Sequence, residues 1–365
     1  MPKSYLDYNA TSPMRPAVIK AMQPHECCAL NPSSTHAAGR VAKKLLEDSR
    51  KAIADSVSVF ANEVLFTGSA TEANNMVLRG FDRPMLVSAI EHASILKTAS
   101  LLGGDTLPVD ENGIVILEVL DKKLAALGRP ALVSVMLANN ETGVINPIAE
   151  IADIVHKHGG LLHTDAVQAI GKIPVDFGLL KADMMTIGAH KVGGPIGIGA
   201  LILRNDVAIK PLLTGGGQEL GRRAGTEDVV KTIGFAALMG EVANCPEAKQ
   251  HAAWRDWLEA ELGSVVFSKD APRLPNTLQI AMPNVKSETQ LMNFDLEGYA
   301  VSAGSACSSG RIEPSYVLKA MGITEETASC AIRISMGWNT TENDVKSFAS
   351  AWKNTYERLG KHKAA

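Results

Sequence analysis

The chain has 365 residues and a net charge of -3, with acidic and basic side chains interspersed. That length supports one large and one smaller domain, and the balanced charge excludes the electrostatic footprint of a nucleic-acid or anionic-lipid binder. The five cysteines, Cys27, Cys28, Cys245, Cys307 and Cys330, show no C-x-x-C spacing. They argue against both a disulfide framework and a zinc site, so no metal is expected and any cysteine that matters does so as a thiol.

The opening MPKSYLDYNATSP has no apolar signal core, and no run nears the ~20 apolar residues of a membrane span, which predicts a cytoplasmic protein. Residues 7–13 are polar and turn-rich, and a short helix starts at Pro16. The loop 31–36 caps an amphipathic helix over 37–60, with Val41, Leu45, Ile53 and Val57 as its core face. A strand at 64–67 leads into Gly68-Ser69-Ala70-Thr71-Glu72 at the head of another helix. Small residues there expose backbone N–H groups where the helix dipole favours an anion, so the turn reads as a phosphate cradle or as a simple cap.

Strands at 85–88, 106–109, 132–137 and 161–164 then alternate with helices starting near Ser94, Leu117 and Ile148. Such alternation predicts an α/β fold around a parallel, doubly wound sheet with helices on both faces. Its turns carry His92 and the run Asn139-Asn140-Glu141-Thr142-Gly143. His92 suits stacking on an aromatic cofactor or carrying a proton, and alone it reads equally as a surface histidine.

The apolar strand 161–164 ends in Asp165, three residues before Gln168. Ligands gather at the carboxyl ends of strands in open α/β sheets, so Asp165 is placed at a site, with a helix cap as its other reading. Farther on, strands at 184–187 and 198–203 flank a loop that sets Lys191 beside His190 among Gly188, Gly193, Gly194, Pro195 and Gly197. A desolvated lysine loses its proton and attacks a carbonyl. An amine and an acid in this arrangement suit pyridoxal phosphate, which needs a lysine for its aldehyde and a carboxylate against its ring nitrogen.

Past Arg204, the glycine-rich loop 215–227 is basic, with Arg222, Arg223 and Thr226, and has anion-binding character. A helical region spans 228–262. The C-terminal unit shows strands at 277–281 and 331–335 and helices at 288–296, 314–321 and 342–352. Cys307 sits among small residues in SAGSACSSG, an accessible thiol or an incidental one, whereas Cys330 has the apolar neighbours of a core residue. Arg333 falls in a strand, where a guanidinium is costly unless it meets a carboxylate.

The combined motifs YLDYNATSP, NPSSTHAAGR, FTGSATEANN, EHASI, NNETG, HTDAVQ, GAHKVGGPIGIGAL, GGGQELGRRAGTED, GSACSSGRIEPSYVL and IRISMG run through nearly the whole chain. In that order they resemble the cysteine desulfurases of the class V aminotransferase group, of the type serving nitrogenase or housekeeping iron–sulfur assembly. The resemblance implies a fold-type I pyridoxal-phosphate transferase. Its large domain, residues 13–260, would hold a mostly parallel seven-stranded sheet flanked by helices; residues 1–12 and 261–365 would form a smaller α+β domain. It also implies L-cysteine as substrate, L-alanine and a Cys307 persulfide as products, a sulfur-acceptor protein and a homodimer. Lys191 would hold the cofactor and move the Cα proton, Asp165 would pair with the ring nitrogen, Gln168 with the ring hydroxyl, and His92 would stack. Ala70, Thr71 and His190 would bind the phosphate, with Thr226 arriving from the other subunit. Asn140 and Arg333 would hold the substrate carboxylate, and Cys307 would be the nucleophile. The chain departs from the group at Gly188, where a hydroxyl residue usually contacts the phosphate, and at Gly193 and Ile196, where bulkier and basic residues are common. Within this fold a selenocysteine lyase, a cysteine sulfinate desulfinase or a small aminotransferase is the alternative, and a non-catalytic sulfur-transfer scaffold is the reading from outside enzymology.

Overall fold

Strands whose two faces are both covered read as unbroken apolar runs, and that is how the central layer of this protein is built. The computed structural model describes residues 2–304 and 314–360. In chain order its strands are β1 (Ser4–Tyr5), β2 (Val64–Thr67), β3 (Met85–Ser88), β4 (Asp105–Leu107), β5 (Leu132–Ser134) and β6 (Leu161–Asp165). There follow β7 (Met184–Gly188), β8 (Gly199–Leu203), β9 (Val265–Val266), β10 (Thr277–Ala281), β11 (Tyr299–Ala300) and β12 (Ala331–Ser335). The large sheet has the order β2-β8-β7-β6-β5-β3-β4, and every neighbouring pair is parallel except the two that involve β8.

Alternate side chains of these strands enter different cores. Val64, Phe66, Leu86, Val133 and Ile202 join one cluster, and Leu65, Met85, Val87, Leu132 and Leu201 join another. The helices α1 (Pro16–Met22), α2 (Ala37–Ser56), α3 (Ala70–Arg79) and α4 (Ala93–Leu101) come first in the chain. α2 contributes Leu46 and Ile53 to the first cluster, while α3 and α4 close the opposite face with Met76, Val77 and Ile95. Ser69 caps α3 by accepting from the Glu72 N–H, and His92 caps α4 by accepting from the Ser94 N–H.

A third cluster lies on the antiparallel sheet β12-β10-β9 and gathers Leu278, Ile280, Phe294, Ile332, Ile334 and Phe348. The chain's first residues belong here: β1 pairs in parallel with β11, Leu6 is fully buried, and Asp7 bridges to Ser335. Leu258 and Leu262, from the helix Ala248–Leu262, enter the same core.

Several expectations need correction. Of the face expected for α2, Ile53 and Val57 are fully buried, but Val41 is 56% exposed and Leu45 only half-buried, because in the first turns the buried stripe runs one residue later, through Ala42 and Leu46. That helix ends at Ser56 rather than at 60, where Ser58 takes a left-handed φ of 61°. The region 228–262 is two helices, Val229–Val242 and Ala248–Leu262, broken at Cys245, whose φ is 47°. In the glycine-rich loop the arginines are spoken for: Arg223 Nε meets Glu72 at 2.8 Å, and Arg222 donates to the Asn62 carbonyl at 2.8 Å. Arg50 and Glu219 form a buried two-pronged pair at 2.7 and 2.8 Å that pins the same loop.

Candidate active site

A cavity of about 570 Å³ opens at the carboxyl ends of β6 and β7, a size within the usual range for small-molecule sites. Ala70, Thr71, His92, Asn140, Asp165, Gln168, His190, Lys191 and Arg333 all line it, so residues from remote parts of the sequence meet in one place. Thr226 is exposed and does not line the cavity of its own chain. Cys307 lies outside the described residues.

Lys191 sits on the loop between β7 and β8 and donates from Nζ to the carbonyls of Asn9 (2.8 Å) and Ala10 (2.7 Å). Burial lowers its pKa to about 8, helped by the Arg333 cation and opposed by Asp7 and Asp165. Asp165 is 6% exposed and accepts from Asn74 Nδ2 (2.8 Å) and the Val167 N–H (3.0 Å), which fixes its plane at the end of β6. His92 opens onto the cavity although protein encloses it on most sides. Its Nδ1 is 2.8 Å from Ser94 Oγ; burial lowers its pKa and Lys191 adds to that, while Asp165 acts the other way. His190 Nδ1 lies 3.2 Å from Thr11 Oγ1, and burial, then Lys191 and His92, lowers its pKa to about 4.

The strand arginine has its carboxylate. Arg333 is 4% exposed and donates from Nη2 to Asp7 Oδ1 at 2.6 Å and from Nη1 to the Asn140 carbonyl at 3.0 Å. The backbone allows this convergence at two tight points. A Cβ on Gly199 would stand 2.8 Å from the Ala70 nitrogen, so only glycine lets β8 pass the head of α3. Gly193 has φ +98°, and its missing Cβ is replaced by Arg15 Cγ, 2.6 Å from the position that Cβ would take.

Asn9 is the residue that sequence reasoning missed. It is 1% exposed; its Nδ2 donates to Thr277 Oγ1 (2.9 Å) and the Asn140 carbonyl (3.2 Å), and its own carbonyl accepts from Gln168 and Lys191. Its partners lie more than 130 positions away, so no local pattern could reveal it. Asp7 was likewise read only as part of a turn-rich stretch. The one available signal was a run of short polar residues with no glycine to explain the turns.

The donor set fits pyridoxal phosphate. A depressed lysine, a fixed carboxylate, an imidazole at a helix head and the first turn of α3 share one cavity, and the buried Asn140 Oδ1 has no partner among the described residues. Residues 4–348 match the family Aminotransferase class-V, and the chain belongs to that family of pyridoxal-phosphate enzymes. Within it the protein groups with the cysteine desulfurases. It is 37% identical to the cysteine desulfurase IscS of Dictyoglomus turgidum, over 97% of this chain and 95% of that protein. It is also 37% identical to the putative cysteine desulfurase IscS 1 of Bacillus subtilis, over 98% of this chain and all of that one. The crystal structure of a NifS-like protein from Rickettsia africae superposes with a TM-score of 0.89 at 35% identity, covering 97% of this chain and 99% of the other.

Proposed function

We propose that this enzyme removes sulfur from L-cysteine, leaving L-alanine and a persulfide on Cys307, and that it passes the sulfur to an iron–sulfur scaffold or thiolation carrier. The observation that carries this reading is the cavity that Lys191 and Asp165 share with the Arg333–Asn140 pair. The alternative members of the fold have no comparable support, since the relatives just described are named for desulfuration.

When bound, pyridoxal phosphate supplies the electron sink that stabilises a carbanion at the substrate Cα. Asp165 would hold the ring nitrogen, Gln168 the ring hydroxyl and His92 the aromatic ring itself, since all three line the one cavity. The first turn of α3, with Ala70 and Thr71, holds the phosphate together with His190. Arg333 and Asn140 would hold the substrate carboxylate in the cavity that they share with Lys191. With a pKa near 8, Lys191 exists partly as the free amine at neutral pH and serves as the proton carrier at Cα. The Cys307 thiolate would attack the substrate sulfur, forming the S–S bond as the Cβ–S bond breaks, and the electron pair left on Cβ would take up a proton to give alanine.

Residues 13–260 act as the cofactor-binding unit, and residues 1–12 with 261–365 as the second, supported by the pairing of β1 with β11. A homodimer is supported by Thr226, which is exposed and outside the lining of its own cavity, and by the exposure of Leu213 and Leu220 in the same stretch of chain. A cytoplasmic location is supported by the unpaired state of Cys27, Cys28, Cys245 and Cys330. Among the described residues no helix is long and apolar enough to cross a membrane.

Mass spectrometry after brief exposure to L-cysteine tests the reading: one added sulfur is expected on Cys307. Cys307→Ala should abolish turnover while leaving the cofactor spectrum intact, and full turnover in that variant would remove Cys307 from the mechanism.

A further inference from the structure

Behind the cavity lies a buried base with no part in the mechanism above. Lys172 is 6% exposed and follows Gln168 by four residues on the turn after β6. Its Nζ donates to Gln168 Oε1 at 2.6 Å and to Asn9 Oδ1 at 2.7 Å.

The orientation of both amides is fixed by backbone carbonyls, which can only accept. Gln168 Nε2 donates to the Asn9 carbonyl (3.0 Å), so Oε1 must be the atom facing Lys172. Asn9 Nδ2 donates to the Asn140 carbonyl (3.2 Å), so Oδ1 must face Lys172 as well. Two oxygens thus converge on one nitrogen. Burial, with the Lys191 and Arg333 cations nearby, pushes Lys172 well below the ordinary lysine range, yet even a neutral amine keeps two N–H groups for two acceptors. With Oε1 held by Lys172 and one amide N–H held by Asn9, Gln168 retains a single free N–H, on a side chain that lines the cavity.

We propose that Lys172 is a positioning residue that clamps Gln168 so that its remaining amide N–H is offered to the cofactor's ring hydroxyl. This rests on the cofactor site assigned above. Without the clamp a single bond, to the Asn9 carbonyl, holds the Gln168 amide, so a flip that presents its oxygen to the cavity is opposed by one contact instead of two. A donor held on the ring oxygen withdraws it from the proton on the Lys191 nitrogen, so losing the donor raises the pH at which that proton leaves.

The test is a pH titration of the visible absorption of the cofactor-loaded protein, comparing wild type with Lys172→Met, Gln168→Ala and the double variant. Methionine keeps the length and apolar bulk of the lysine stem while removing its donors. The midpoint should rise by about one pH unit in each single variant, the size expected for one lost charge-assisted hydrogen bond. Lys172→Met should add nothing in the Gln168→Ala background, because the two act through one contact. An unchanged midpoint in Lys172→Met, or shifts that add in full, would overturn the assignment. Should circular dichroism show Lys172→Met unfolded, Lys172→Leu takes its place under the same two criteria, and an unchanged midpoint in Gln168→Ala would be equally fatal. A colourless wild-type protein would instead bring down the cofactor site, and this inference with it.

Discussion

Gly188, at the end of β7, offers a direct way to measure what the phosphate cradle lacks. It lies in extended backbone, and a Cβ built there stands 3.5 Å from Ala70 Cβ and 3.5 Å from Val167 Cγ2, which is ordinary contact distance. Gly188→Ser therefore fits without strain and sets a hydroxyl beside the first residue of α3. A hydrogen bond to a charged group contributes about 1.5–3 kcal/mol, and competition with water and side-chain ordering leave about 1–2 kcal/mol. That corresponds to roughly 5- to 30-fold tighter cofactor binding. The assay is titration of the apoenzyme with pyridoxal phosphate, followed by tryptophan fluorescence, with Gly188→Ala as the control that adds the Cβ but no donor. If the serine variant binds no more tightly than wild type, or the alanine variant gains as much, the phosphate does not lie where the first turn of α3 implies.

Three further outcomes follow from the same geometry. Only the neutral amine attacks an aldehyde, so cofactor uptake by the apoenzyme should rise about tenfold per pH unit up to the Lys191 pKa near 8 and then level off. Stopped-flow absorbance between pH 6 and 10 measures this, and a rise continuing to pH 10 would mean that Lys191 is not desolvated. His163 is fully buried between Ser134 Oγ and Thr186 Oγ1, both at 2.9 Å, and burial holds its pKa down at about 3. The unfolded chain binds that proton from about pH 6.5 downward while the native state does not, so stability should fall by about 3 kcal/mol between pH 7 and 4. Urea unfolding at both pH values should show a smaller loss in His163→Gln. Gly193→Ala should destabilise by about 2–4 kcal/mol, from its left-handed φ and from displacing Arg15, which is pinned by the Val192 carbonyl and Glu247. A denaturation midpoint close to wild type would show that Arg15 can move aside.

The central sheet was legible because its strands are buried on both faces, so short apolar runs such as 184–187 stand out between polar turns. The reversed direction of β8 was not, since an apolar run carries no sign of orientation and only the pairing register reveals it. Lys191, Asp165 and Arg333 announced themselves because a charge beside or within an apolar strand needs a reason. Asn9 and Lys172 did not, because each gains its meaning from partners that only the folded backbone brings within reach. The later part of the α2 face, Ile53 and Val57, was legible, and only its first turns were misread: Val41 and Leu45 drew attention where the small Ala42 and its neighbour Leu46 turn inward.

The N-terminal segment that reaches across to Ser335 has a consequence for biosynthesis. Asn9 is synthesised 326 positions ahead of Ser335, so the wall of the pocket that Asp7 and Asn9 form with β12 cannot be assembled until that strand has been made. Vitamin B6 loading into the finished pocket is therefore a step that follows synthesis of that strand rather than one that guides the folding of the large sheet.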